Sequence, residues 1–451
     1  MKYFSRLIVA FILTATFSTP AYSQYITTSY FMEQNWQSNM LNPAFAPSQG
    51  YVLIPVIGGT SFNVGSNSLT IDKLFYQNPN GSGLVSFLDV DIDKSLLLSA
   101  VKDNNNISAD FSTTLFGVGF YKNDIFWNFG MNLNVSSDVN IPGGFFDLVA
   151  LNQADGVYNL SNLNVNASAM LETYVGANFK IGDRLTLGAR VKALLGVANV
   201  TANYDDLQIN INDSEWTISA NGDFDATGAG LSLDNGTQDF SLENLEYEPE
   251  VKFSGFGLGF DLGASFELLD NLTLSMSVLD LGFMNWGKEN TISGVSNSDF
   301  IYTGATFTDD GMLESESIDL DNIISFDEVE ATGRTQSLKT TINIGGEYRF
   351  LNDKMAAGLL YSAKFRYGYT KHEVTTVVSG RPFSWFTANL SYSIVAGQLG
   401  AALNFHPSWI NFFIGTDFIP FKLTPQYLPV SSSNVNVYAG IGIPIGKKRV
   451  E

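Results

Sequence analysis

Residues 255–268 read Gly-Phe-Gly-Leu-Gly-Phe-Asp-Leu-Gly-Ala-Ser-Phe-Glu-Leu, and their alternation decides the fold. The even positions (Phe256, Leu258, Phe260, Leu262, Ala264, Phe266, Leu268) are apolar. The odd positions (Gly255, Gly257, Gly259, Asp261, Gly263, Ser265, Glu267) are small or polar. Successive side chains of a strand point to opposite faces, so this stretch is a strand with one greasy face and one polar face. Residues 127–135 repeat the pattern, with Trp127, Phe129, Met131, Leu133 and Val135 set against Asn128, Gly130, Asn132 and Asn134. Residues 272–278 and 163–179 repeat it again. A strand rises about 3.3 Å per residue, so 163–179 is longer than a bilayer is thick.

A β-sandwich also alternates, and the loops separate the two cases. Very short polar turns join strand pairs at Lys122-Asn123-Asp124, Gly182-Asp183-Arg184, Asp270-Asn271 and Asn352-Asp353-Lys354. Long segments, 137–161, 201–250 and 287–336, separate those hairpins. Short turns at one end and long loops at the other are the asymmetry of a transmembrane antiparallel β-barrel with extracellular loops. Strands are expected at 50–62, 109–121, 125–136, 162–180, 185–200, 251–268, 272–285, 337–351, 355–367, 371–379, 384–395, 399–405, 409–418 and 435–446, about fourteen in all. An even count with both ends on the short-turn side is what a single-chain bacterial barrel requires. Aromatics near proposed strand ends, among them Tyr121, Trp127, Tyr348 and Trp385, fit interfacial girdles. Short helices are expected within 83–102 and 144–151.

The amino end agrees. Lys2 and Arg6 precede an apolar run, Leu7 to Phe17, and Ala21-Tyr22-Ser23 follows it, so residues 1–23 read as a signal peptide. Residues 24–49, with Pro43, Pro47, Tyr30, Phe31 and Trp36, read poorly as a membrane strand and are expected to plug the barrel formed by 50–451. The chain contains no cysteine, and no later stretch is long and apolar enough for a membrane helix. The expected location is the cell outer membrane.

The formal charge of −21 argues against nucleic acid, which requires clustered Lys and Arg. Residues 201–250 carry twelve Asp or Glu without a Lys or Arg, and 287–336 carry eleven. This is either a solvated surface or a bridge to divalent cations. Asp89, Asp91 and Asp93 resemble the start of a calcium loop, but Lys94 stands where such a loop needs Gly and Ala100 where it needs Glu. Gly255, Gly257 and Gly259 lie inside a strand rather than at a strand-to-helix turn, so they are small inward-facing residues and not a nucleotide fingerprint. His372 and His406 are the only histidines and sit in different hairpins. No catalytic constellation, metal site or cofactor is expected.

A charge facing lipid costs about 2–4 kcal/mol at the midplane, so charges within strands should face inward. Alternation places Glu172, Arg190, Lys192, Asp261, Glu267, Glu347, Arg349, Lys364 and Arg366 in the lumen. Four of them, Glu347, Arg349, Lys364 and Arg366, share one hairpin. They are expected either to pair with each other as structural filling or to line a pathway.

Asn42-Pro43-Ala44, placed before the first strand, resembles the Asn-Pro-Ala element of long-chain fatty-acid transporter (FadL-like) barrels, which also have fourteen strands. The chain as a whole is similar to Bacteroidota outer-membrane proteins of the PorP/SprF and PorV kind, in which a Val-Leu-Asp-Leu-Gly-Phe-like element recurs, here Val278 to Phe283. The resemblance implies a plugged channel taking up small hydrophobic molecules. The alternative is a non-transporting barrel that anchors loops or secretion-associated or gliding-associated surface proteins. Outer-membrane lipid is the partner common to both.

Overall fold

The computed structural model describes residues 27–449 apart from 82, 88, 90, 151–154, 213–214, 234–244, 249, 251, 303–305, 308–312, 315–325 and 420–433. The expected signal peptide, 1–23, lies outside the described residues. The chain forms a closed antiparallel barrel of fourteen strands. β1 is Gly50–Leu53 continued by Thr60–Ser66, followed by β2 Asn104–Lys122, β3 Ile125–Pro142, β4 Leu163–Ile181, β5 Leu185–Ile211, β6 Gly255–Leu269 and β7 Leu272–Trp286. β8 is Arg334–Ser337 continued by Thr341–Phe350. Then come β9 Met355–Arg366, β10 Tyr369–Phe383, β11 Phe386–Ser393, β12 Gln398–Phe405, β13 Asn411–Thr416 and β14 Asn434–Ile445. Each strand pairs with the next, and β14 closes on β1, with Gly50 opposite Ile445 and Thr60 opposite Ala439. Closure leaves no edge, so every ladder hydrogen bond is made within the protein.

All fourteen expected strands are present, and alternation gives the two faces correctly. Phe256, Phe260, Leu262 and Phe266 of β6 are exposed on the outer surface, whereas Asp261 between them is completely buried inside. The outer band continues through Leu274, Met276, Ile344, Leu359 and Leu390. Short turns at 123–124, 182–184, 270–271 and 351–354 tie one end. At three of them the backbone enters the left-handed region: at Asn123 (φ 56°), at Gly182 (φ +61°), residue types that tolerate it best, and at Leu351, Asn352 and Asp353.

The acidic segments differ from expectation. Residues 201–250 and 287–336 were read as loops, yet β5 runs to Ile211. Trp216–Gly228 then returns along it, and Thr291–Tyr302 pairs on the far side. The result is a β-ribbon standing beyond the barrel. Its apolar residues recur at alternate positions among the acids on either side of a bulge between Tyr204 and Asp206. Tyr204, Leu207, Ile209, Ile218, Ala220 and Phe224 bury one face together with Phe326 and with Leu148 of α2, Gly143–Ala150. The acids occupy the wet face, and their density hides the period. In the β1–β2 connection, Asp93 accepts a hydrogen bond from the Ser95 N–H, starting the short helix Ser95–Leu98. Among the described residues no cluster of three metal-ligating groups exists.

Replacing Leu262, at the centre of the outer band, with Arg should cost about 2–4 kcal/mol. A urea titration of refolded protein in lipid vesicles should show this as a lower unfolding midpoint. A midpoint equal to that of the wild type would mean that this face does not meet lipid.

Candidate functional site

The lumen of fourteen strands is wider than side chains alone can fill. Residues 27–49 occupy its short-turn half. A 3₁₀ turn, Thr27–Ser29, leads to α1, Trp36–Leu41, which Asn35 caps by accepting from the Gln37 N–H at 2.9 Å. Tyr30, Phe31, Met32 and Trp36 are buried against Tyr51, Phe126, Leu360, Val377 and Phe413 of the wall.

Wall side chains hold the main chain of this segment from every side. The Asp417 carboxylate accepts from the Thr27 and Thr28 N–H groups at 3.1 and 2.7 Å. Amides of Asn389, Asn178, Asn343 and Asn411 donate to the carbonyls of Thr28, Pro43, Leu41 and Gln34. Asn42-Pro43-Ala44 forms a turn in which the Asn42 Oδ1 accepts from the Ala44 N–H at 3.0 Å. The Asn42 amide donates to the carbonyls of Ala264 and Met276, which face each other across the β6–β7 ladder. Gly188 and Gly263 make this close approach possible. A Cβ at either would overlap Pro43 or Asn42. Glycines elsewhere on the inner face serve the same end. A Cβ at Gly196 would strike Trp286, and one at Gly255 or Gly257 would strike Met284. The three-glycine run of β6 thus leaves room for long side chains to lie flat against the wall.

Above α1 lies a buried ion network. Arg190 donates to Asp261 at 2.7 Å and to the Asn39 carbonyl at 3.0 Å. Lys192 sits among Asp280 (2.6 Å), Asp261 (3.0 Å) and Glu172 (3.5 Å). Asn132 and Asn134 donate to Glu172. Asp280 takes φ 56° at an irregularity of the β6–β7 ladder, and its N–H donates to Asp261. A second cluster lies nearer the long-loop end. Arg366 forms a bidentate pair with Asp110 and bonds Asp138 at 2.5 Å, and Lys339 also reaches Asp138. Lys364 faces Asp110 at 4.0 Å.

Glu172, Arg190, Lys192, Asp261, Lys364 and Arg366 are therefore all buried inside the barrel. The four charges of the β8–β9 hairpin, however, do not pair with one another. Thr341 lies opposite Lys364, whereas Glu347 lies opposite Gly358, so the register holds the groups several residues apart. Glu347 instead takes Arg381 at 3.1 Å, which also bonds Glu33 at 3.0 Å. Arg349 lies at the short-turn rim on the Asp270 carbonyl and near Asp353, and Glu267 is half-buried there beside Lys180. Both have inward parity, but at a strand end parity no longer means enclosure. Asp110, Asp138, Asp280, Lys339 and Arg381 were not singled out from the sequence. Alternation in β2 and β3 was enough to find Asp110 and Asp138. Asp280 and Lys339 sit where the ladder is broken and parity fails.

A cavity of about 470 Å³ lies between the two clusters, bounded by Asn166, Glu172, Asp280, Lys339, Lys364 and Arg366 among others. Met170, Leu194, Met284 and Leu338 give it one apolar patch. A smaller one of about 100 Å³ separates α1 from the first network.

Residues 43–417 match the model of a family described as "Family of unknown function (DUF5723)". The chain belongs to the DUF5723 family. No curated protein matches it. Among solved structures, this DUF5723 chain is similar to a deletion mutant of the TodX monoaromatic hydrocarbon channel, at 11% identity and a TM-score of 0.41, over 93% of this chain and 96% of that one. It is also similar to a Pseudomonas aeruginosa FadL homologue at 11% and 0.40, over 92% and 94%. The toluene transporter TbuX of Ralstonia pickettii aligns at 10% and 0.32, over 96% of both chains.

Asp261 is the carboxylate shared by Arg190 and Lys192. Replacing it with Ala strands the buried Arg190, while Lys192 keeps Asp280 and Glu172, and should cost about 3–5 kcal/mol. The unfolding midpoint in detergent should fall accordingly. A change under 1 kcal/mol would mean that water already screens the network.

Proposed function

We propose that this protein is an outer-membrane channel of the FadL-like kind. In this reading residues 1–23 direct export, and 24–49 plug the barrel. The short turns and both chain ends face the periplasm, and the acidic ribbon faces outward. The observation that carries the reading is the pairing of a docked N-terminal segment with a cavity on its long-loop side. Polar side chains of the wall hold that segment largely by its main chain, an attachment that can be released without unfolding the barrel. A lumen lined by Asn, Ser, Thr and paired charges suits small molecules with polar groups better than pure hydrocarbons.

Deleting 24–49 should leave a barrel that still resists SDS until heated, while raising its conductance to small ions in planar bilayers. Gly263→Val, which pushes Asn42 off the wall, should raise conductance in the same direction by a smaller amount. Unchanged conductance in both would remove the plug and, with it, the channel reading.

The ordered ribbon favours a second reading, a PorP/SprF- or PorV-like barrel that anchors a surface platform for secretion-associated or gliding-associated proteins. Under that reading, plug deletion leaves small-solute flux into vesicles unchanged.

A further inference from the structure

We propose that the 470 Å³ cavity is a binding site for an uncharged, polyhydroxylated solute, a sugar or polyol. This names a cargo class for the channel just proposed and rests on that reading only for its transport role.

The charges of the cavity disfavour an ionised guest. Asp110, Glu172 and Asp280 stand on its wall against Lys339, Lys364 and Arg366, three of each sign. The ions behind the wall keep the balance. Asp138 holds Lys339 and Arg366, while Lys192 holds Glu172 and Asp280. Behind these, Arg190 and Asp261 pair with each other. A net charge brought into this lumen is therefore buried without a counter-ion of its own, a cost that a neutral molecule avoids.

Two side chains of β4 specify what the neutral guest has to offer. Asn166 is 3% exposed and lines the cavity, and its Nδ2 makes no hydrogen bond among the described residues. Asn164, two residues back on the same face, is 9% exposed. Its Oδ1 is likewise without a hydrogen-bond partner there and lies beside Gly368 of the cavity wall. One of these atoms is a donor and the other an acceptor, and a buried polar atom left unpaired is costly. A hydroxyl answers both, whereas a carboxylate only accepts, an ammonium only donates and a hydrocarbon does neither. Ser136 and Ser168, bonded to each other at 3.0 Å, extend this polar stripe along β3 and β4. Met170, Leu194, Met284 and Leu338 form an apolar patch on the same cavity. Water alone would satisfy the amides and leave that patch wet. A sugar ring or polyol chain carries C–H faces for the patch and hydroxyls for the stripe. The volume lies in the range of ligand pockets.

The test is calorimetric titration of the purified barrel, in a detergent without a sugar head group, with glucose and maltose. Gluconate, glucosamine and toluene are the comparisons. Glucose or maltose should bind about tenfold or more tightly than each comparison. Asn166→Leu should weaken sugar binding by about tenfold, with Asn166→Ser, which keeps a donor, restoring most of it. Lys339→Met leaves the lining one negative charge in excess and should move the preference toward glucosamine. If Asn166→Leu fails to give the heat-modifiable barrel on SDS gels, Asn166→Ala is titrated in its place with the same expectation. The proposal is overturned by an absence of sugar binding, by gluconate or glucosamine binding as tightly as the sugars, or by tighter binding of toluene. Sugar binding unmoved by the change at Asn166, or an unaltered preference in Lys339→Met, would overturn it equally. Sugar binding without flux into vesicles would leave the site standing and remove only the channel reading.

Discussion

Hydrocarbon offers no partner for a peptide N–H or C=O, and everything else in this molecule follows from that constraint. A chain that crosses lipid as strands has to close its ladder, and the β14–β1 pairing does so. Closure sorts side chains by parity, one face to lipid and one to the lumen. The alternation of β6 is therefore the sequence counterpart of a boundary condition. Fourteen strands meet it at a circumference that leaves the inside too wide for wall side chains to fill. The chain solves the resulting vacancy with its own amino end and with ions.

The two fillings work differently. Residues 27–49 bring aromatic bulk, and the wall holds them largely by main-chain hydrogen bonds from asparagines. Such bonds depend little on the identity of the guest side chains. They depend on where the backbone runs, and inward-facing Gly188 and Gly263 let it run against the sheet. The ion networks bring rigidity. Burying Arg190 and Lys192 is costly unless every partner is in place. Asp261, Asp280 and Glu172 come from three strands, β6, β7 and β4, so the network fixes the spacing of the wall as well as filling it. A well-packed apolar core would be more stable, yet it would leave no polar cavity between the clusters.

Legibility from sequence followed the reach of the period-two signal. Strand existence, the two faces and the burial of Arg190, Lys192, Lys364 and Arg366 were all readable, because alternation is local and the cost of charge in lipid is large. The ribbon was not read, because acids on its wet face dominated the composition while Leu207, Ile209 and Ile211 kept the alternation underneath, out of phase with Tyr204 across a bulge. Partners were not readable either. Hairpin neighbours were the natural choice for Glu347 and Lys364, but inward-facing charges choose across the lumen. Arg366 meets Asp110 and Asp138, more than two hundred residues away. Which strands face each other across a ring depends on the whole circumference and its shape, information that no window of sequence contains.

The irregular positions carry a further meaning. Asp280 and Lys339 stand where β7 and β8 depart from ideal pairing, Asp280 with a left-handed backbone and Lys339 in the gap between Ser337 and Thr341. A regular strand can aim a side chain only straight in or straight out. A break allows a residue to approach the lumen obliquely, and each of the two residues joins a charge cluster whose other members stand on regular strands. Asp280 supplies the closest carboxylate to Lys192, a third one for the first cluster, and Lys339 supplies a third cation to the second, so that the two clusters together balance. Both border the cavity. These two departures from β geometry thus fall beside the 470 Å³ cavity of the lumen, where an oblique approach lets a side chain reach a space that straight strands leave open.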